Sequence, residues 1–111
     1  MFARLFSTAF EGVEAYPVEV EVDIRSAGKA EMALVGLPDA AVRESAERVQ
    51  SAITNSGFSM PRGKVIVNLA PADRRKEGPL FDLSIALGTL VAGGQLSRTD
   101  NSAFILGELS L

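Results

Sequence analysis

From Val18 to Ile24 every second residue is a β-branched apolar side chain, and Glu19, Glu21 and Asp23 fill the positions between them. A two-residue period places one chemistry on each face of an extended chain. The pattern therefore predicts a half-buried strand over 16–24. The rest of the chain must supply a sheet around it and an apolar layer for its valine face. Residues 2–10 carry aromatics at Phe2, Phe6 and Phe10 and read as a preceding strand, with Glu11-Gly12 as the turn. After a turn at 26–29, residues 31–37 read as a third strand, apolar through Met32, Leu34 and Val35.

The period then changes. Leu37-Pro38-Asp39 opens a helix, since proline is tolerated in a first helical turn and Asp39 can cap amides there. Val42, Ala46, Val49 and Ile53 form one apolar stripe. Arg43 with Glu47, and Glu44 with Arg48, are four-apart pairs expected on the exposed side. Asn55-Ser56-Gly57 ends the helix, with Gly57 suited to a left-handed residue. Pro61-Arg62-Gly63 is a loop. Residues 64–69 hold Val65-Ile66-Val67, a continuous apolar run expected to be covered on both faces. A second helix over 79–93 is apolar nearly all round and should be buried, with Ser84 bonding a carbonyl one turn back. Phe104-Ile105-Leu106 reads as a last short strand. The fold class is α+β, a two-layer β-β-β-α-β-α-β domain with helices against one sheet.

At 111 residues the chain is a single domain, 1–111. It is 47% apolar and 23% charged, too apolar for a disordered chain. It has neither Cys nor His, which excludes a disulfide framework, thiol chemistry, a typical zinc site and a histidine-based triad. Eleven basic residues against fourteen acidic give a net charge of −3, so only a local basic patch would serve a nucleic acid. No apolar run is long enough to span a membrane, and the start lacks the apolar core of a signal peptide, so a cytoplasmic protein without membrane partners is expected. The chain closes on an apolar strand-like segment, which reads as a fragment of a longer protein with a sheet edge prone to self-association.

Glu19, Glu21 and Asp23 invite a metal reading, but same-face neighbours on a strand stand about 6.5–7 Å apart. Oxygen ligands lie only about 2.0–2.6 Å from a small cation. The row reads as a solvated strand face, and no metal site is expected. The segment 68–79 is the richest in charge, with Asp73, Arg74, Arg75, Lys76 and Glu77 between a buried strand and a buried helix. Arg74, Arg75 and Lys76 could contact phosphates or an acidic partner surface, with Arg62 and Lys64 as weaker candidates at the other end of the strand. A solvated, partly self-neutralised loop is the alternative. No Walker A spacing is present. The lysines Lys29, Lys64 and Lys76 leave a Ser–Lys dyad open in principle.

Several long motifs occur in order: Tyr16-Pro-Val-Glu-Val-Glu-Val-Asp, Val35-Gly-Leu-Pro-Asp-Ala-Ala-Val-Arg-Glu-Ser, Asn55-Ser-Gly-Phe and Val67-Asn-Leu-Ala-Pro-Ala-Asp-Arg-Arg-Lys-Glu-Gly-Pro-Leu-Phe-Asp-Leu. Together they resemble the N-terminal domain of the ComM/YifB family, magnesium-chelatase-like AAA+ ATPases of bacteria, over essentially the whole chain. The resemblance implies a fold like domain 2 of ribosomal protein S5, shared with the proteolytic domain of Lon proteases. It also implies a following ATPase module, which would bind ATP and Mg, while this fragment holds no cofactor. The ComM branch is associated with DNA helicase and branch-migration work in natural transformation, or competence.

Lon-type domains place their serine after a Lys-Asp-Gly-Pro stretch. Here the matching stretch is Lys76-Glu77-Gly78-Pro79, and the next residue is Leu80, which cannot act as a nucleophile. The Lon lysine would fall beyond residue 111. The resemblance thus implies a non-catalytic domain of an ATP-dependent enzyme that engages DNA or a partner, or assembles a ring with neighbouring protomers. A purely structural domain docked on the AAA+ module is the first alternative, and a residual Lon-type Ser–Lys peptidase is the second.

Overall fold

A computed structural model describes residues 2–97 and 103–110. Residues 1 and 111, at the ends of two segments read above, lie outside them. The elements run β1 (Phe2–Glu11), β2 (Glu14–Arg25), β3 (Glu31–Val35), α1 (Ala40–Arg43), α2 (Ser45–Asn55), β4 (Lys64–Ala70) and α3 (Asp82–Ala92). They form one four-stranded mixed sheet in the order β1-β2-β4-β3. β2 pairs antiparallel with β1 and β4, whereas β3 runs parallel to β4. The parallel pair needs a crossover, and α1 with α2 supplies it.

The valine face of β2 is the centre of the core. Val18, Val20 and Val22 have no exposed surface, and Val20 stands between Leu5 of β1 and Leu69 of β4 in the register. α3 packs on β1 and β2, and α2 packs on α3, so both helices cover this one face. Gly88 permits the approach of α3: a Cβ there would lie 2.7 Å from Val22 Cγ2. The opposite face carries the acids. Arg4 on β1 reaches Glu19 at 2.6 Å and Glu21 at 3.8 Å, and Asn68 Nδ2 donates to Glu21 at 2.8 Å.

Four expectations need correction. β4 is buried on one face only, through Val65, Val67 and Leu69, while Ile66 and Asn68 are half-exposed because no layer covers the second face. The first helix is interrupted at Glu44, and Ser45 rather than Ala46 joins Val42, Val49 and Ile53 inside. The reason is polar: Ser45 Oγ donates to the buried Asp82 carboxylate at 2.5 Å. The second helix begins at Asp82, after a turn in which the Asp82 amide donates to the Pro79 carbonyl. Finally, 104–106 forms no strand. Phe104 makes a single parallel bridge to Phe6, and the extended segment then crosses to the start of α3, exchanging backbone bonds between Gly107 and both Leu80 and Leu83.

Candidate functional site

The loop after β4 is held by Lys76. Its amide donates to the Leu37 carbonyl at 2.9 Å, and its own carbonyl accepts from the Asp39 amide at 3.0 Å. Asp39 completes the clasp. Its Oδ1 caps α1 by accepting from the Val42 amide at 2.8 Å, and its Oδ2 accepts from the Gly78 amide at 3.3 Å. Two connections far apart in sequence, 36–39 and 73–78, are thereby stitched into one rim. Leu37 pays for this geometry with a left-handed backbone, φ 58°, while its side chain stays exposed.

By sequence Lys76 belongs to a run of three cations expected at the surface, but it is fully buried. Its ammonium donates to the Pro71 carbonyl, folding the loop back on itself. Burial pushes its pKa below the ordinary lysine value, partly opposed by Asp73. Lys76 therefore braces the loop, and its charge is not offered to solvent as those of its neighbours are.

Arg74 and Arg75 remain exposed. The Arg74 guanidinium lies over the Tyr16 ring, 4.3 Å from its centroid, and Tyr16 Oη donates to the Arg75 carbonyl at 3.3 Å. The half-buried end of β2 thus anchors both arginines. Arg75 approaches Glu77 at 3.9 Å, with both side chains largely in water, a pairing that screening leaves weak.

Arg62 and Lys64 lie at the opposite end of β4. Seven residues of strand separate the two groups by about 20 Å, so they do not share one patch. Lys64 also pairs with Glu31 at 3.4 Å. The cation that joins the rim is one that spacing alone assigned elsewhere. Arg43, at the end of α1, lines an open depression of about 590 Å³ with Leu37, Pro38, Asp39, Ala40 and Arg75. Among the described residues it makes no ion pair with Glu47. The signal for it was the motif itself: Arg43 lies four residues after Asp39, one helical turn along the same face.

Leu80, the residue that the resemblance sets against a Lon-type nucleophile, is half-buried and its carbonyl accepts from the Gly107 amide at 2.9 Å. The nearby Ser84 hydroxyl donates to the Phe81 carbonyl at 3.0 Å. Lys76 and Lys64 point to Pro71 and Glu31. No group of acidic side chains among the described residues is arranged to hold a metal ion. No described helix is long and apolar enough to cross a membrane.

Residues 20–111 match the family described as subunit ChlI of Mg-chelatase. The YifB protein of Salmonella typhimurium is 46% identical over 110 residues, covering 98% of this chain and 22% of the relative. The competence protein ComM of Haemophilus influenzae is also 46% identical over 110 residues, covering 98% of this chain and 21% of its own length. Rv2897c of Mycobacterium tuberculosis is 43% identical over 110 residues, covering 97% of this chain and 22% of its own length. The chain thus spans about a fifth of the length of these relatives. It belongs to the magnesium-chelatase-like family of YifB and ComM.

Proposed function

We propose that this domain is a non-catalytic N-terminal part of an AAA+ ATPase of its family and engages nucleic acid through phosphate contacts by Arg74 and Arg75. One observation carries the reading: two adjacent exposed cations are anchored on one aromatic residue, Arg74 by its guanidinium and Arg75 by its backbone. The stacking reduces the side-chain ordering that binding by Arg74 would cost, and the bond to the Arg75 carbonyl fixes the backbone from which Arg75 reaches out. ATP and Mg would be held by the ATPase module, and the residues of this domain would supply neither a nucleophile nor a metal ligand.

The test is titration of labelled single-stranded and forked DNA at low salt. Two phosphate contacts predict a salt slope of about −1.4 on single strands and about −1.8 on duplex, with weak sequence preference. The Arg74→Ala, Arg75→Ala double variant should lose most of the affinity; equal binding by parent and variant removes the assignment.

A second reading is favoured by the apolar surface beside these arginines. Phe10 is 58% exposed and Val13 fully so, at the tip of the β1–β2 hairpin. That tip suits docking on the ATPase module or a neighbouring protomer. Comparing the oligomeric state of the longer protein with and without this domain separates the two readings.

A further inference from the structure

We propose that the depression between Arg43 and Arg75 is a nucleotide-phosphate subsite, with Arg43 and Arg75 on the same phosphate and Leu37, Pro38 and Ala40 against the adjoining sugar or base. The inference rests on the nucleic-acid reading above and adds a residue and a ligand chemistry to it. Its volume of about 590 Å³ is within the range of small-ligand sites. The lining has two cations and one acid, a net charge of +1, and both Asp39 oxygens are already turned to backbone amides, of Val42 and Gly78. Arg43 has no ion-pair partner among the described residues, and the exposed Arg75–Glu77 contact at 3.9 Å is easily exchanged for a phosphate. The guanidinium fork suits phosphate oxygens, which accept two parallel bonds.

The two walls are fixed relative to each other. Arg43 stands on α1, capped by Asp39, and Arg75 immediately precedes Lys76. The Lys76–Leu37, Asp39–Lys76 and Gly78–Asp39 bonds join those walls directly. Between them an apolar side chain, Leu37, is held half in water by a left-handed backbone that leucine rarely adopts. A purely electrostatic surface has no need of it; a sugar or base does.

The experiment is fluorescence anisotropy of labelled oligo(dT) of about ten nucleotides, the length one small domain would cover. Thymidine monophosphate and inorganic phosphate serve as competitors. Arg43→Ala should weaken oligonucleotide binding about five- to tenfold while changing the salt slope by less than about 1, because Arg75 still neutralises the shared phosphate. The Arg43→Ala, Arg75→Ala double variant should lose less than the product of the single losses, because one phosphate is shared. Leu37→Asn, which tolerates the left-handed backbone, should lower affinity for thymidine monophosphate and leave that for inorganic phosphate unchanged. If Arg43→Ala binds like the parent while Arg74 and Arg75 variants weaken, the subsite is wrong and the broader reading stands. Competitor binding through Arg43 without any oligonucleotide binding supports the subsite and ends the nucleic-acid reading. If no probe binds, both fall.

Discussion

Arg48 Nε lies 2.6 Å from Asp82 Oδ2, and this ion pair joins α2 to α3 inside the helical layer. Asp82 is fully buried and accepts further bonds from Ser45 Oγ at 2.5 Å, Arg48 Nη2 at 3.0 Å and the Leu109 amide at 3.1 Å. The hydrogen bond to Asp82 raises the Arg48 pKa against the opposing effect of burial. The carboxylate thus ties both helices and the C-terminal segment together at one point.

Removing one partner leaves the other charge buried without its counter-ion, which costs about 3–5 kcal/mol. Asp82→Ala should lower the urea midpoint strongly without altering the helix content of the remaining folded fraction. Arg48→Met, which keeps the apolar stem, should cost at least as much, because it leaves the fully buried Asp82 carboxylate without a counter-ion, whereas Asp82→Ala leaves an arginine that is partly exposed and keeps Glu44 at 3.9 Å. Equal midpoints for parent and Asp82→Ala would show that the network contributes nothing.

Alternation made β2 legible, since Val18, Val20 and Val22 could be inward only together. The paired acids on its other side were equally readable, because a strand with one buried face leaves its alternate residues to water. Arg48 was not: a four-residue spacing from Glu44 is the same whether the arginine faces water or a buried acid, and the Glu44 contact is present at 3.9 Å besides. Asp82, a lone acid in an otherwise apolar helix, is the sign in the sequence that something must pair with it. The burial of Lys76 is illegible for a related reason. Its neighbours Arg74 and Arg75 are exposed, and nothing in a run of three cations marks which one turns inward to a backbone carbonyl.

Gly36 stands where the rim crosses β4. A Cβ at this position would lie 2.1 Å from the Leu69 carbonyl oxygen, and the backbone is left-handed at φ 104°. Both the collision and the conformation oppose any side chain. Gly36→Ala should destabilise the domain by several kcal/mol, more than the roughly 1 kcal/mol of conformational strain alone. Chemical denaturation reads this, and an unchanged midpoint would mean that the rim does not pass so close to the strand.

Lys76 has a pH signature. Its pKa is lowered in the folded chain, so between that value and the ordinary lysine value near 10.5 the unfolded chain binds more protons than the folded one. Stability contributed by this group therefore rises with pH across that window, opposite to a lysine that gains a carboxylate partner. Lys76→Met should remove the slope. The stability difference between parent and variant, followed by denaturation from neutral to alkaline pH, should move in favour of the parent; a constant difference would show that the ammonium is not desolvated.

Ser7 provides the last prediction. It lies on β1 opposite Val18 with no exposed surface, and its hydroxyl has no hydrogen-bond partner among the described residues. A buried hydroxyl without a partner carries its desolvation penalty uncompensated, about 1–3 kcal/mol. Ser7→Ala removes one oxygen and keeps the Cβ, so the lost contact volume is small. The variant should be stabilised by about 1 kcal/mol in urea or thermal unfolding. If it is destabilised instead, the hydroxyl has a partner in solution, and the core beneath α3 is more polar than its valines and leucines indicate.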